Sequence, residues 1–288
     1  MLDPEFLRIA QERFNPYRAS SGTEHVAFLL YALARMTRPR IIVEFGSGYT
    51  SLFLLRALAD NLKDVRDERI ALLKKSRPLF DLARAGLFER QGNDLKVWGA
   101  DARDELLGWL AAGGKACGVD PRFYLTPYEP HLFSFERLGS DHAYVRELED
   151  AIKAVQHENL FTHLHGQTFS LEALPAHARP IDWAWNDDED YRGFFNEFWP
   201  HLNPAGGLMI FHNVPAAEIA TDAVLWMKEQ RAAANDLEVL VLEEPHKLNQ
   251  NGCAILRRVS DYRPRFASSN PRRVLHDLRK FIASVVRG

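Results

Sequence analysis

Four stretches of the chain combine residue types and spacings able to do chemistry. In Glu44-Phe45-Gly46-Ser47-Gly48-Tyr49-Thr50-Ser51, an acid and two alternate glycines follow the apolar run Ile41-Ile42-Val43. Glycines so spaced let a backbone turn tightly and approach a ligand with no Cβ in the way. A third glycine would complete E-x-G-x-G-x-G, and Thr50 stands in its place. Dinucleotide loops carry that glycine because a pyrophosphate seats on the helix N-terminus behind it. The second stretch is His212-Asn213, at the end of an apolar run. An imidazole titrates near neutral pH, so His212 is the candidate acid/base, with Asn213 beside it. The third stretch, Trp185-Asn186-Asp187-Asp188-Glu189-Asp190-Tyr191, sets the Asn186 amide before a run of acids. The fourth is the carboxylate Glu136, closing His131-Leu132-Phe133-Ser134-Phe135; Gly166-Gln167 closes a later run of similar character.

Placing these residues together takes alternating strands and helices. Helices are predicted over 3–15 and 22–37, the second with Val26, Leu29, Leu30, Leu33 and Ala34 on one face. Arg40–Phe45 reads as a parallel strand buried on both faces, followed by a helix from about Thr50. Strands are then predicted at 131–136, 161–166, 181–185 and 207–213, with helices near 141–157, 170–174, 190–201 and 216–234. Strands 237–242 and 252–258 follow with no helix between them. The alternation implies an α/β, Rossmann-like, seven-stranded and mostly parallel sheet whose last strand is antiparallel. Residues 62–130 break the pattern and read as a helical insertion or lid rather than sheet.

The bulk properties narrow the function. With 288 residues, 46% of them hydrophobic, the chain can bury one large α/β core. A net charge of -3 gives no reason to expect nucleic acid as partner. The tail is basic, with nine Arg/Lys over 257–288 against Asp261 and Asp277. Such a tail is a solvated helix face, a subunit contact of a homodimer, or a surface for an acidic partner. Cys117 and Cys253 are in no metal spacing and frame no disulfide scaffold, so a reducing cytoplasm is expected. The charged N-terminus has no signal-peptide core, and no apolar run is long enough to span a membrane.

The ordered set EFGSGYTS, SFE, HGQ, AWNDDEDY and LNPAGGLMIFHNV resembles the class I S-adenosylmethionine-dependent methyltransferases, small O-methyltransferases in particular. The match covers residues 40–60 and 131–258. The resemblance implies that Glu44, Gly46, Gly48, Tyr49, Thr50 and Ser51 shape the cofactor loop. Adenosylmethionine has no phosphate; its amino-acid end reaches this turn, where the Thr50 and Ser51 hydroxyls and the free helix N–H groups suit a carboxylate. Glu136 is implied to bind both ribose hydroxyls. It lies about 90 residues beyond Gly46, against about 20 in common dinucleotide folds, and the 62–130 insertion accounts for the excess. Asp60, Asp64 and Asp67 are nearer the usual spacing but follow no strand-like run. Gln167 offers an amide oxygen to the adenine amino group. Tyr49, Trp185 and Phe211 are candidates to face the sulfonium, with core packing the commoner fate.

Some relatives bind Mg²⁺ through an Asp at the position of Asn186 and an Asp-Asn pair at that of His212-Asn213. Here two of those anionic ligands are neutral, so no metal is expected, since a hard cation wants charged oxygens. The expected catalytic set is His212, Asn186 and Asn213, acting on a small-molecule acceptor. The neutral Asn186 and Asn213 leave one alternative open, attack at another sulfonium carbon, releasing methylthioadenosine by aminocarboxypropyl transfer or cyclisation; a second alternative is a non-catalytic binding subunit whose contact is made by the basic tail. The expected organisation is N-terminal helices or lid (1–39), a cofactor core (40–61 and 131–258), the insertion (62–130) and the tail (259–288).

Overall fold

The computed structural model describes residues 2–13, 23–75, 88–91, 94–97, 123, 127–137, 142–165, 170–187, 190–214, 217–244, 246–247 and 251–261. Cys117, Gln167, Asp188, Glu189 and most of the tail, for which the sequence raised expectations, lie outside them. The chain divides into two compact units, Met1–Asp64 with Tyr128–Tyr262, and Val65–Pro127 with Arg263–Gly288.

The first unit opens with helices α1 (Pro4–Arg13) and α2 (Glu24–Thr37), then strand β1 (Ile41–Phe45) and helix α3 (Tyr49–Lys75). Strand β4 (His131–Glu136), helix α4 (Ala143–Ala154) and strand β5 (Phe161–His165) follow the insertion. Then come β6 (Trp183–Asn186), α5 (Tyr191–Phe198), β7 (Leu208–His212), α6 (Glu218–Arg231), β8 (Leu237–Leu242) and β9 (Cys253–Arg258). The seven-stranded sheet has the order β5-β4-β1-β6-β7-β9-β8. The strands flanking β1 run parallel to it, and β9 is inserted antiparallel to both β7 and β8. The fold class expected from the sequence is the one observed, with the final strand reversed.

Alternation along β1 sorts the two cores. Ile42 joins Leu132, Trp183 and Ile210 on the face covered by α1 to α4, where Phe6, Leu30, Leu52, Leu55 and Leu148 pack. Val43 and Phe45 face the other way with Phe133, Phe135, Met209 and Phe211, under α5 and α6. Every residue of β1 is buried, as a central parallel strand requires. Helices α1 and α2 belong to this core: Phe6 and Phe28 stack edge-on against Phe53 of α3. The Tyr31 hydroxyl and Arg56 both bond Asp60, while Arg35 pairs with Asp64. Asp60 and Asp64, the rivals of Glu136 by spacing, therefore tie α2 to α3.

The insertion departs from the helical expectation. Helix α3 continues unbroken to Lys75, and β2 (Phe88–Gln91) pairs antiparallel with β3 (Asp94–Val97) as a separate two-stranded sheet. The charged composition hid short strands, because a hairpin needs only a few alternating residues around a Gly-Asn turn signal such as Gly92-Asn93.

Candidate active site

The glycine turn is organised from beneath by one carboxylate. Alternation points Glu44 to the α3 side of the sheet, where it is fully buried. Its Oε1 accepts from the Thr50 hydroxyl (2.9 Å), and its Oε2 from Ser51 (2.6 Å) and Ser134 (2.9 Å). Burial drives the Glu44 carboxyl up to about 7, against the three hydroxyls that favour its charged form. Thr50 and Ser51 are themselves buried, so their hydroxyls serve Glu44; what the turn presents outward is backbone. The Gly48 N–H donates to Ser51 Oγ at 2.8 Å, tightening the loop further.

Both glycines are required by their surroundings. Gly46 has φ +84°, and a Cβ there would meet the Asp187 Cβ and carbonyl oxygen at 3.3 Å. A Cβ on Gly48 would lie 2.5 Å from the Tyr144 hydroxyl, which donates to the Ser47 carbonyl. Tyr49 is buried and its ring rests on Phe53, 4.9 Å between centroids. Trp185 and Phe211 are likewise wholly buried. Glu136 closes β4 at the same sheet edge, opposite His165 of β5.

His212 and Asp187 form a dyad that the sequence reading did not assemble. His212 ends β7, and its Nδ1 lies 2.5 Å from Asp187 Oδ1. Asp187 follows β6 and is fixed by its own N–H donating to the Phe45 carbonyl at 3.0 Å. Burial works against charging the His212 imidazole, and the adjacent Asp187 carboxylate outweighs it, so its pKa lies above the ordinary value. The Tyr191 hydroxyl donates to the His212 carbonyl at 3.4 Å. Asn186 pairs in register with Phe45 and Phe211, so alternation turns it to the face opposite His212. The acid next to Asn186 is what reaches the imidazole. The signal was the adjacency of Asp187 to a strand end neighbouring β7, masked by a run of four acids.

Three buried polar atoms here have no hydrogen-bond partner among the described residues: His212 Nε2, Asn213 Oδ1 and Trp185 Nε1. The Trp185 and His212 rings are 5.8 Å apart, and Asn213 takes a left-handed backbone with φ 62°. Leaving such an atom unsatisfied costs roughly 1–3 kcal/mol, so these three are candidates for contact with a ligand. All lie at the carboxyl ends of β6 and β7, the edge where open parallel sheets bind ligands.

No protein-family model matches the chain, and no curated protein matches it. Solved structures do. A Klebsiella pneumoniae protein assigned as an O-methyltransferase superposes with TM-score 0.52 at 15% identity, covering 90% of this chain and 91% of that one. The O-methyltransferase TomG of Streptomyces achromogenes, solved with S-adenosylmethionine, gives 0.51 at 15% identity, over 90% and 91%. A Bacillus cereus O-methyltransferase solved with S-adenosylhomocysteine gives 0.50 at 11% identity, over 90% and 92%. Together with the observed strand order and the reversed β9, these likenesses establish that the chain has the Rossmann-like fold of the class I S-adenosylmethionine-dependent O-methyltransferases.

Proposed function

We propose that the protein transfers the methyl group of S-adenosylmethionine to a hydroxyl of a small-molecule acceptor, with His212 as general base. One observation carries the reading: a buried imidazole, held by Asp187 at Nδ1, with Nε2 unpartnered among the described residues at the edge where open parallel sheets bind ligands. When bound, adenosylmethionine supplies an activated methyl carbon. The residues present fit it. The Gly46–Gly48 backbone and the first N–H groups of α3 would hold its amino-acid end, and Glu136 its ribose hydroxyls. Gln167, expected at the adenine, lies outside the described residues.

A hydroxyl attacks poorly until its proton is removed. With Nδ1–H donated to Asp187, the Nε2 lone pair is the acceptor for that proton, and the Asp187 carboxylate stabilises the imidazolium that forms. Burial excludes competing water and strengthens the pairing. Among the described residues, no helix is long and apolar enough to cross a membrane. A cytoplasmic setting is supported by the sparse cysteines, of which Cys253 is a buried free thiol.

The test is incubation of the purified chain with adenosylmethionine and a panel of small hydroxylated acceptors, with products identified by mass. Adenosylhomocysteine with a methylated acceptor supports the proposal, and His212→Ala should reduce it about 10²–10⁴-fold. Methylthioadenosine would assign the chain to the non-methylating reaction instead, and no calorimetric binding of adenosylmethionine would reduce it to a non-catalytic fold.

A further inference from the structure

A second polar constellation lies on the α4 side of the sheet, toward its β5 edge. In register, Glu44 pairs with Ser134, Ser134 with His163, and Glu136 with His165. His163 and His165, two residues apart on a strand, share one face. Their rings are 4.4 Å apart, and Glu149 of α4 reaches the same point, with its Oε1 3.4 Å from His163 Nδ1. One ligating atom from each of the three lies within 4.8 Å of the other two.

Behind His163 runs a chain of hydroxyls. Ser134 Oγ donates to Glu44 at 2.9 Å, Ser47 Oγ lies 2.7 Å from Ser134 Oγ, and His163 Nε2 lies 3.1 Å from Ser47 Oγ. One ring nitrogen of His163 is thereby held by a hydroxyl, and the other, Nδ1, faces the Glu149 carboxylate.

We propose that Glu149, His163 and His165 bind a divalent transition metal of the Zn²⁺ type. Two neutral imidazoles and a carboxylate are its preferred donors, and a structural or open site takes its remaining ligands from water. Tetrahedral ligands at about 2.0–2.1 Å lie roughly 3.4 Å apart, so the set must contract on binding. The Glu149 side chain, 37% exposed on a helix, has the freedom to close it, while His163 at 6% is fixed. Ser47, 3.1 Å from His163 Nε2, is placed as the outer hydrogen-bond partner that a metal-bound Nδ1 would need. The site thus abuts the glycine turn through Ser47, and it is separate from the Asn186 and Asn213 positions. It does not depend on the methyl-transfer reading. A second cluster, His25, Glu244 and His246, already holds the Lys247 ammonium 3.2 Å from Glu244 and serves as the control.

The experiment titrates the metal-free full chain with Co²⁺, read by visible ligand-field absorption, and with Zn²⁺ by calorimetry. One equivalent should bind, with a four-coordinate Co²⁺ band that Zn²⁺ abolishes. His165→Ala and Glu149→Gln, at exposed and half-buried positions that spare the core, should each weaken binding at least about 10-fold, and Ser47→Ala about 10–100-fold. His246→Ala should change nothing, and circular dichroism checks that each variant is folded. No band in the wild-type protein, a band unchanged in both His165→Ala and Glu149→Gln, or a band lost in His246→Ala overturns the assignment.

Discussion

His212 draws its chemistry from a neighbour rather than from itself. Asp187 raises its pKa, and as the proposed general base His212 must be neutral to act. The wild-type rate should therefore climb with pH through an inflection above the ordinary histidine value. Asp187→Asn keeps the hydrogen bond but removes the charge that offsets burial. Its inflection should move to lower pH while the plateau falls about 10²-fold or more, as pH–rate profiles of kcat will show. His212 and the glycine pair were legible in the sequence because strand ends and turns leave local signatures. Asp187 was not: in a run of four acids only the strand register decides which one meets an imidazole 25 residues away. For Thr50 and Ser51 the sequence gives the residue types but not their direction, and the buried Glu44 turned both inward.

At the scale of elements, the β1–α3 turn is held by a buried carboxylate whose pKa is raised to about 7 by burial. A raised folded-state pKa favours the fold at low pH. That contribution is complete below about pH 4.5 and lost as pH rises through 7, about 3 kcal/mol in all. Glu44→Gln should flatten this part of the stability profile, measured by urea unfolding at pH 5 and pH 8. The β8–β9 connection is tight in another way. Gly252 has φ +68°, and a Cβ there would lie 2.0 Å from the Leu242 carbonyl and 2.7 Å from that of Val214. Gly252→Ala should destabilise by at least about 2 kcal/mol, with early amide exchange in β8 and β9. The elements themselves were readable where apolar runs are continuous: β4 and β8 fall at their expected limits. The β2–β3 hairpin escaped because its strands are short and charged, below the length at which alternation separates from noise.

At the scale of the molecule, the sheet is covered on both faces by separate apolar cores, and α1 and α2 are part of one of them. These N-terminal helices thus contribute side chains to the core, which amphipathic periodicity alone does not distinguish from covering a ligand. The proposed ligand should bind only this folded form. Adenosylmethionine at 100 times its Kd should add about 2.7 kcal/mol to stability, seen as a thermal midpoint that climbs with the logarithm of its concentration. The gain should appear as slower amide exchange in β1, β4, β6 and β7, whose carboxyl ends line the site.

The contact between Gly46 and Asp187 has a consequence for how such an enzyme can change. The atoms that a bulkier residue 46 would displace, the Asp187 Cβ and carbonyl oxygen, belong to the residue that holds the proposed base His212. On the proposed mechanism, retention of the cosubstrate and speed of turnover are thereby linked through a gap one methyl group wide. A Gly46→Ala variant should lose kcat and raise KM for adenosylmethionine in the same step, where a loop independent of the base would lose affinity alone. Selection or engineering that seeks a different cosubstrate fit at this turn will have to move residue 187 as well, and recovery of both constants in a second-site variant there is the signature to look for.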